Sequence, residues 1–266
     1  MAIYDCFQYY NEDHMVDLRL NILDEYVDYF IISESTKTHQ GKSKKINFDI
    51  NKFSKFEHKI KFIVADYKKE INFTKHTGGE SPVEQHQRNS LIEGLKNASN
   101  EDLVILSDSD EIPDLTKLSE INNKKKYIAF CQKMFMYKLN LQNLNESNWI
   151  GSKITKVKYL KSMQELRNMK FKNYSFWRID KFSQQIINGG WHFSFLQTPD
   201  KILNKIKSFS HGEFNQEDLN TKIIEKKILE NEDIFGRGNK LEKVDIDNSF
   251  PAYITKNKDK FSDWII

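Results

Sequence analysis

Cysteine is scarce in this chain: there are two among 266 residues, Cys6 and Cys131, each inside an apolar run that reads as a buried strand. Thiols so placed exclude a disulfide framework and a cysteine-based zinc site, and they fit a reducing compartment. Proline (4) and glycine (10) are also sparse, and no fixed-period repeat is present, which excludes collagen-like, linker-rich and solenoid architectures. Long hydrophobic runs are missing. No stretch approaches the about 18–20 apolar residues that span a bilayer, and the first residues lack a signal-peptide pattern. A soluble, cytoplasmic protein is therefore expected, in which the sequons at Asn72, Asn97, Asn145 and Asn173 are chance matches. A surplus of one charge is absent too. The 41 basic and 38 acidic residues leave +3, too little to argue for nucleic acid. Lys42-Ser43-Lys44-Lys45 and Lys124-Lys125-Lys126 read as solvated loops.

What the chain does have is apolar segments, enough for one sizeable α/β domain over residues 1–266. Ala2–Phe7 reads as a short strand. Met15, Leu18, Ile22 and Tyr26 recur at helical spacing, predicting an amphipathic helix from about Asp13 to Glu25. Asp28–Ser33, Lys61–Ala65 and Leu103–Ser107 are nearly continuous apolar runs of strand length, as strands covered on both faces should be. Ser81-Pro82-Val83-Glu84 is a capping box with proline at the first helical position, and Leu91 and Leu95 extend that helix to about Lys96. Alternating strand and helix predicts a Rossmann-like, mostly parallel central sheet flanked by helices. After residue 127 the pattern changes. Strands are expected at Tyr127–Tyr137, Ser175–Ile179 and Trp191–Leu196, and helices at about Asp200–Lys207 and Glu217–Asn231. Residues 232–266 are weakly patterned and are free to wrap back over the core. Residues 1–115 and 116–266 read as two halves of this single domain.

Asp108-Ser109-Asp110 closes the Leu103–Ser107 strand, at the carboxyl edge where ligand crevices of such sheets lie. In extended backbone, Asp108 and Asp110 project to the same face while Glu111 points elsewhere. Two carboxylates so close oppose each other's ionisation, and a hard divalent cation, Mg²⁺ or Mn²⁺, removes that penalty. Bound by one or two carboxylates, such a cation keeps positions open for diphosphate oxygens. The bland alternative is an acidic turn ahead of a helix start at Ile112-Pro113-Asp114.

Four stretches make the reading specific. They are Ile3–Phe7 with Asn11-Glu12 and Arg19-Leu20-Asn21; Val27–Ser35; Gln87-Arg88 running into Leu103–Pro113; and Gly189–Ser194 followed by Ser208–Phe214. In these blocks the chain resembles glycosyltransferase family 17, the β-1,4-mannosyl-glycoprotein β-1,4-N-acetylglucosaminyltransferases. The resemblance implies a GT-A-like fold, a divalent metal (Mn or Mg), and inverting transfer of N-acetylglucosamine from UDP-N-acetylglucosamine to a glycan hydroxyl. The expected partners are a UDP-sugar donor, held by a nucleotide-sugar-binding half over residues 1–115, and a glycan acceptor, held by an acceptor-binding half over 116–266. Asn11 and Glu12 sit where such enzymes hold the nucleoside, though Glu12 can equally serve as a first-turn acid. Glu34, ending the second strand, is a candidate for uracil or ribose. Arg88 is a candidate diphosphate cation, or else the i,i+4 partner of Glu84. Asp110 is the favoured metal ligand, with Asp108 on the metal, a metal-bound water or the ribose. Trp191 offers a ring to a sugar face, and His192 lines the acceptor or donor pocket. His211 is favoured as a further metal ligand, in a role exchangeable with that of His192. The general base, which must lie across the sugar from the metal, is Glu213 or Glu111. Competing readings are a sugar nucleotidyltransferase or other Mg²⁺-dependent phosphoryl enzyme, and a Ca²⁺-dependent glycan-binding module. The glycine-free Gln8-Tyr9-Tyr10-Asn11 segment argues against the nucleotidyltransferase.

Overall fold

Four apolar runs become the parallel centre of the sheet: Ile3–Gln8 (β1), Tyr29–Ser35 (β2), Ile60–Ala65 (β3) and Leu103–Ser107 (β4). The computed structural model describes residues 1–68, 81–171, 183–208 and 219–266. β1 lies between β2 and β4, with Cys6 paired to Ile31 on one side and Leu106 on the other. β3 adds parallel to β2. Helices Asp13–Leu23 (α1) and Pro82–Ser90 (α2) make crossovers. α2 starts where the capping box predicts, with Ser81 Oγ accepting from the Glu84 amide at 3.1 Å. It ends sooner than expected, tightening into a 3₁₀ turn over Leu91–Leu95.

The strands alternate between two buried layers, as a period of two requires. Phe7, Phe30, Ile32 and Ile105 pack with Leu18 and Leu20 of α1. Cys6, Ile31, Val104 and Leu106 pack with Leu91, Leu95 and, from helix Met163–Asn168 (α3), Met163 and Leu166. Asp5 is on the α1 side, a charge at the centre of a buried strand.

Beyond β4 the sheet turns mixed. Strand Trp149–Lys156 (β8) pairs antiparallel to β4, and Tyr127–Met136 (β6) antiparallel to β8. Leu141–Asn143 (β7) and Leu241–Lys243 (β11) complete the order β11-β7-β6-β8-β4-β1-β2-β3. Short strands Ser183–Ile186 (β9) and Gly190–Ser194 (β10) pair parallel with β6, and Glu111–Pro113 (β5) pairs antiparallel with β10. Helices Pro199–Ser208 (α4) and Thr221–Leu229 (α5) form a third apolar cluster with the end of β6, through Ile202, Ile206, Ile224, Ile228, Met134 and Met136. The tail does wrap back: Phe250, Phe261 and, from helix Ala252–Lys256 (α6), Ile254 join the α1 layer. The strand expected at Ser175–Ile179 lies outside the described residues. Among the described residues, no helix is long and apolar enough to cross a membrane.

Candidate active site

The carboxyl ends of β1 and β4 open on a cleft of about 200 Å³ lined by Gln8, Tyr9, Tyr10 and Glu12 from the first βα loop, with His39, Glu84 and Gln87. Asp108, Ser109, Asp110 and Lys205 complete it. α1 departs from β1 on one face and α2 approaches β4 from the other, so this is a topological switch point.

The motif turn is fixed from below. Arg19 is wholly buried, holds Asp5 through two hydrogen bonds of 2.7 and 2.6 Å, and donates to the Glu111 carbonyl at 2.6 Å and the Asp108 carbonyl at 3.3 Å. Glu111 closes the turn from above. Its carboxylate accepts from the Asp108 amide (3.0 Å), the Trp149 indole (2.7 Å) and Arg167 Nη1 (2.9 and 3.1 Å). Arg167 Nη2 reaches Asp108 Oδ2 at 2.6 Å, and Arg88 Nη2 is 3.5 Å from Asp108 Oδ1. Burial raises the Asp108 carboxyl, but Arg167 and then Arg88 outweigh it and keep its pKa below the ordinary value.

Asp110 lines the same cleft, with its side chain 18% exposed against 35% for Asp108. Burial pushes its carboxyl up, but the charge and hydrogen bond of His192 bring the pKa down to about 2. His192 Nε2 lies 3.5 Å from Asp110 Oδ2, and Nδ1 has no hydrogen-bond partner among the described residues. Burial lowers the imidazole, Asp110 more than offsets it, and the net shift is upward. β10 is brought against β5 by Gly190, whose φ is +138°; a Cβ there would sit 2.2 Å from the Ile112 carbonyl oxygen. Phe193 N then donates to the Asp110 carbonyl at 2.9 Å, which fixes His192 beside the motif.

Glu12 is a hub across the cleft. Oε1 accepts from Lys205 (2.6 Å) and Gln197 (2.7 Å), and Oε2 from Ser109 Oγ (2.7 Å). The carboxylate therefore joins α4 to the motif and makes no cap of its own on α1.

The expected site residues thus divide. Glu12, Asp108 and Asp110 share the cleft, and His192 stands behind Asp110. Arg88 is 1% exposed; it pairs with Glu84 at 2.9 Å, as helical spacing suggests, and also backs Asp108. Glu34 is buried, and its carboxylate takes Lys44 and the amides of Asn47 and Phe48 (2.9–3.1 Å). Asn11, at φ 56°, accepts from the Asn47 side chain at 2.7 Å, so both residues anchor the 44–48 loop. Trp191 points away from His192, because neighbours on a strand face opposite sides. It lines a separate cavity of about 630 Å³ and donates to the Ser249 carbonyl at 3.0 Å. Glu111 accepts four hydrogen bonds and is not exposed, so it offers an acceptor hydroxyl no open lone pair in this arrangement. His211 and Glu213 lie outside the described residues. Arg19, Arg167, Trp149, Gln197 and Lys205 were not anticipated from sequence.

Among the described residues, no group of three His, Cys, Asp or Glu is placed to hold a metal ion unaided. Asp108 is engaged by arginines, whereas the ionised Asp110 carboxylate faces the cleft. Such a set fits a cation held by one protein carboxylate and completed by phosphate oxygens and water.

Residues 1–239 match the glycosyltransferase family 17 profile. No curated protein matches the chain. Similar solved structures include the Francisella tularensis 2-C-methyl-D-erythritol 4-phosphate cytidylyltransferase IspD (9% identity, 59% of this chain and 74% of that one, TM-score 0.30). HddC from Yersinia pseudotuberculosis is another (13% identity, 70% and 90%, TM-score 0.34). A third is the glycosyltransferase GlyE of Streptococcus pneumoniae TIGR4 (15% identity, 70% and 46%, TM-score 0.33). With its profile match spanning nearly the whole length, and with an acidic motif closing β4 over the cleft, the chain belongs to glycosyltransferase family 17.

Proposed function

We propose that the chain is an inverting, metal-assisted glycosyltransferase that moves N-acetylglucosamine from UDP-N-acetylglucosamine to a glycan hydroxyl. The observation that carries this reading is Asp110: an ionised carboxylate at a switch-point cleft, in a chain of a glycosyltransferase family. The donor, the linkage and inversion rest on the resemblance of the four sequence blocks.

In this reading Asp110 holds the divalent cation, Mn²⁺ or Mg²⁺. When bound, the cation neutralises charge developing on the diphosphate leaving group. Asp108 is pinned by Arg167 and Arg88, so its part is to meet the ribose or a metal-bound water. His192 orients Asp110 from behind. Glu12 and the first βα loop flank the nucleoside. Deprotonation of the acceptor falls to Glu213, since Glu111 is committed to the turn. The metal role of His211 is part of the same proposal.

The test is hydrolysis and transfer from a panel of nucleotide sugars with Mn²⁺ or Mg²⁺. UDP-N-acetylglucosamine should be turned over, and Asp110→Asn should reduce turnover by at least about a hundredfold, the scale of a lost transition-state charge contact. If the wild-type protein turned over no nucleotide sugar and bound none in calorimetry with Mn²⁺ present, the proposal would be wrong.

A further inference from the structure

The cleft lining is rich in acids: Glu12, Glu84, Asp108 and Asp110 all border it. A diphosphate must therefore find cations there, and most candidates are already committed. Arg88 is 1% exposed and tied to Glu84, Gln164 and Asp108. Arg167 is spread across Asp108 and Glu111. His39 is kept neutral near pH 7, chiefly by burial and then by Arg88 and Lys205. Lys205 is paired as well, but through a lysine ammonium on a flexible stem. It sits on the far wall, on α4, with its ammonium on Glu12 at 2.6 Å and 5.3 Å from the centre of the Phe195 ring.

Glu12 does not depend on Lys205 alone. Gln197 remains on the same oxygen at 2.7 Å, and Ser109 Oγ holds the other at 2.7 Å. Moving the ammonium would leave the carboxylate still hydrogen-bonded, so the exchange does not strand a buried charge. Resting on the proposed nucleotide-sugar reading, we infer that Lys205 is the diphosphate-binding cation of the cleft, parked on Glu12 until the donor enters. Its ammonium then turns from the carboxylate to a phosphate oxygen and draws α4 toward the motif. A compact charge on a flexible stem suits such a transfer better than a forked guanidinium held at two points.

The experiment measures binding of UDP and of uridine to the full chain, by calorimetry and by saturation-transfer NMR, for wild type, Lys205→Met, Lys205→Arg and Glu12→Gln. Lys205→Met should weaken UDP by about tenfold or more, the scale of a lost charge-assisted hydrogen bond, and leave uridine within about twofold. Lys205→Arg should keep most of the UDP affinity. Glu12→Gln, which removes the resting partner's charge, should prefer UDP over uridine at least as strongly as wild type does. Equal loss of UDP and uridine in Lys205→Met, or unchanged UDP binding, overturns the inference, as does a smaller preference for UDP over uridine in Glu12→Gln. If wild type binds neither UDP nor UDP-N-acetylglucosamine, the donor reading falls first and the inference with it.

Discussion

Arg19 of α1 and Asp5 of β1 form a fully buried ion pair directly beneath the motif turn, with side chains 0% exposed and the closest approach at 2.6 Å. The same guanidinium reaches the carbonyls of Asp108 and Glu111, and it stacks over Phe7 at 4.8 Å. One side chain thus links the centre of the sheet to the backbone that carries the acidic motif. Replacing it strands a carboxylate in the core and frees two carbonyls.

Arg19→Met is accordingly expected to lower stability by about 3–5 kcal/mol, the range for breaking one side of a buried pair. Asp5→Asn/Arg19→Met should recover part of that loss by removing the stranded charge. Urea denaturation of the two variants checks it, and equal stabilities would contradict it. Any folded Arg19→Lys protein should bind UDP in the presence of Mn²⁺ more weakly than wild type, because lysine cannot span Asp5 and both carbonyls at once.

Glu111→Gln separates a structural acid from a general base. The glutamine cannot accept all four hydrogen bonds that the three donors make, so a stability loss of about 1–3 kcal/mol is expected. The acid limb of the kcat/KM–pH profile should persist in this variant, since the geometry gives Glu111 no access to an acceptor. Disappearance of that limb would return Glu111 to the base role.

His39 gives a pH dependence with a definite sign. Its folded pKa is lowered from 6.5 to about 4, first by burial and then by the charges of Arg88 and Lys205. Between those values the unfolded chain binds a proton that the folded chain does not, so stability falls as pH drops from about 6.5 to 4. The loss is at most about 3 kcal/mol. A His39→Asn variant should show a flatter stability curve across that window in denaturant titrations at stepped pH, and an unchanged slope would refute the assignment.

The parallel half of the fold was legible because its strands are continuous apolar runs and its second helix begins with a capping box. The mixed half was less so. β5, β7 and β11 are only three residues each, too short to show a period, and α3 is a six-residue helix. In the site, the motif was visible but its supports were not. Arg167 and Lys205 act on residues 59 and 193 positions away, and no local pattern encodes such pairs. Arg19 did leave a trace: an aspartate inside Ile3-Tyr4-Asp5-Cys6-Phe7 and an arginine between Leu18 and Leu20 each demand a buried partner. Trp191, expected on a sugar face, lines a different cavity from the motif, on the side of β10 opposite His192. Adjacent residues on β10 cannot share a face.

Gly190 is the point where that strand depends on having no side chain. Its φ of +138° is one that residues with a Cβ rarely adopt, and an added Cβ would meet the Ile112 carbonyl oxygen at 2.2 Å and the Asp114 amide at 2.9 Å. Both contacts are backbone on β5 and just beyond it, so neither can swing aside. Gly190→Ala must therefore push β10 off β5, and the shift reaches His192, paired in register with Glu111. The expected outcome is a loss of at least about 2–3 kcal/mol in stability, from strain at a special backbone conformation. Because Asp110 owes its low pKa in large part to His192, the folded variant should also titrate Asp110 nearer the ordinary carboxylate value. NMR titration of the Asp110 side-chain carboxyl in wild type and Gly190→Ala measures this directly. An unmoved pKa in a destabilised variant would mean that β10 supports the fold but does not set the charge at the cleft.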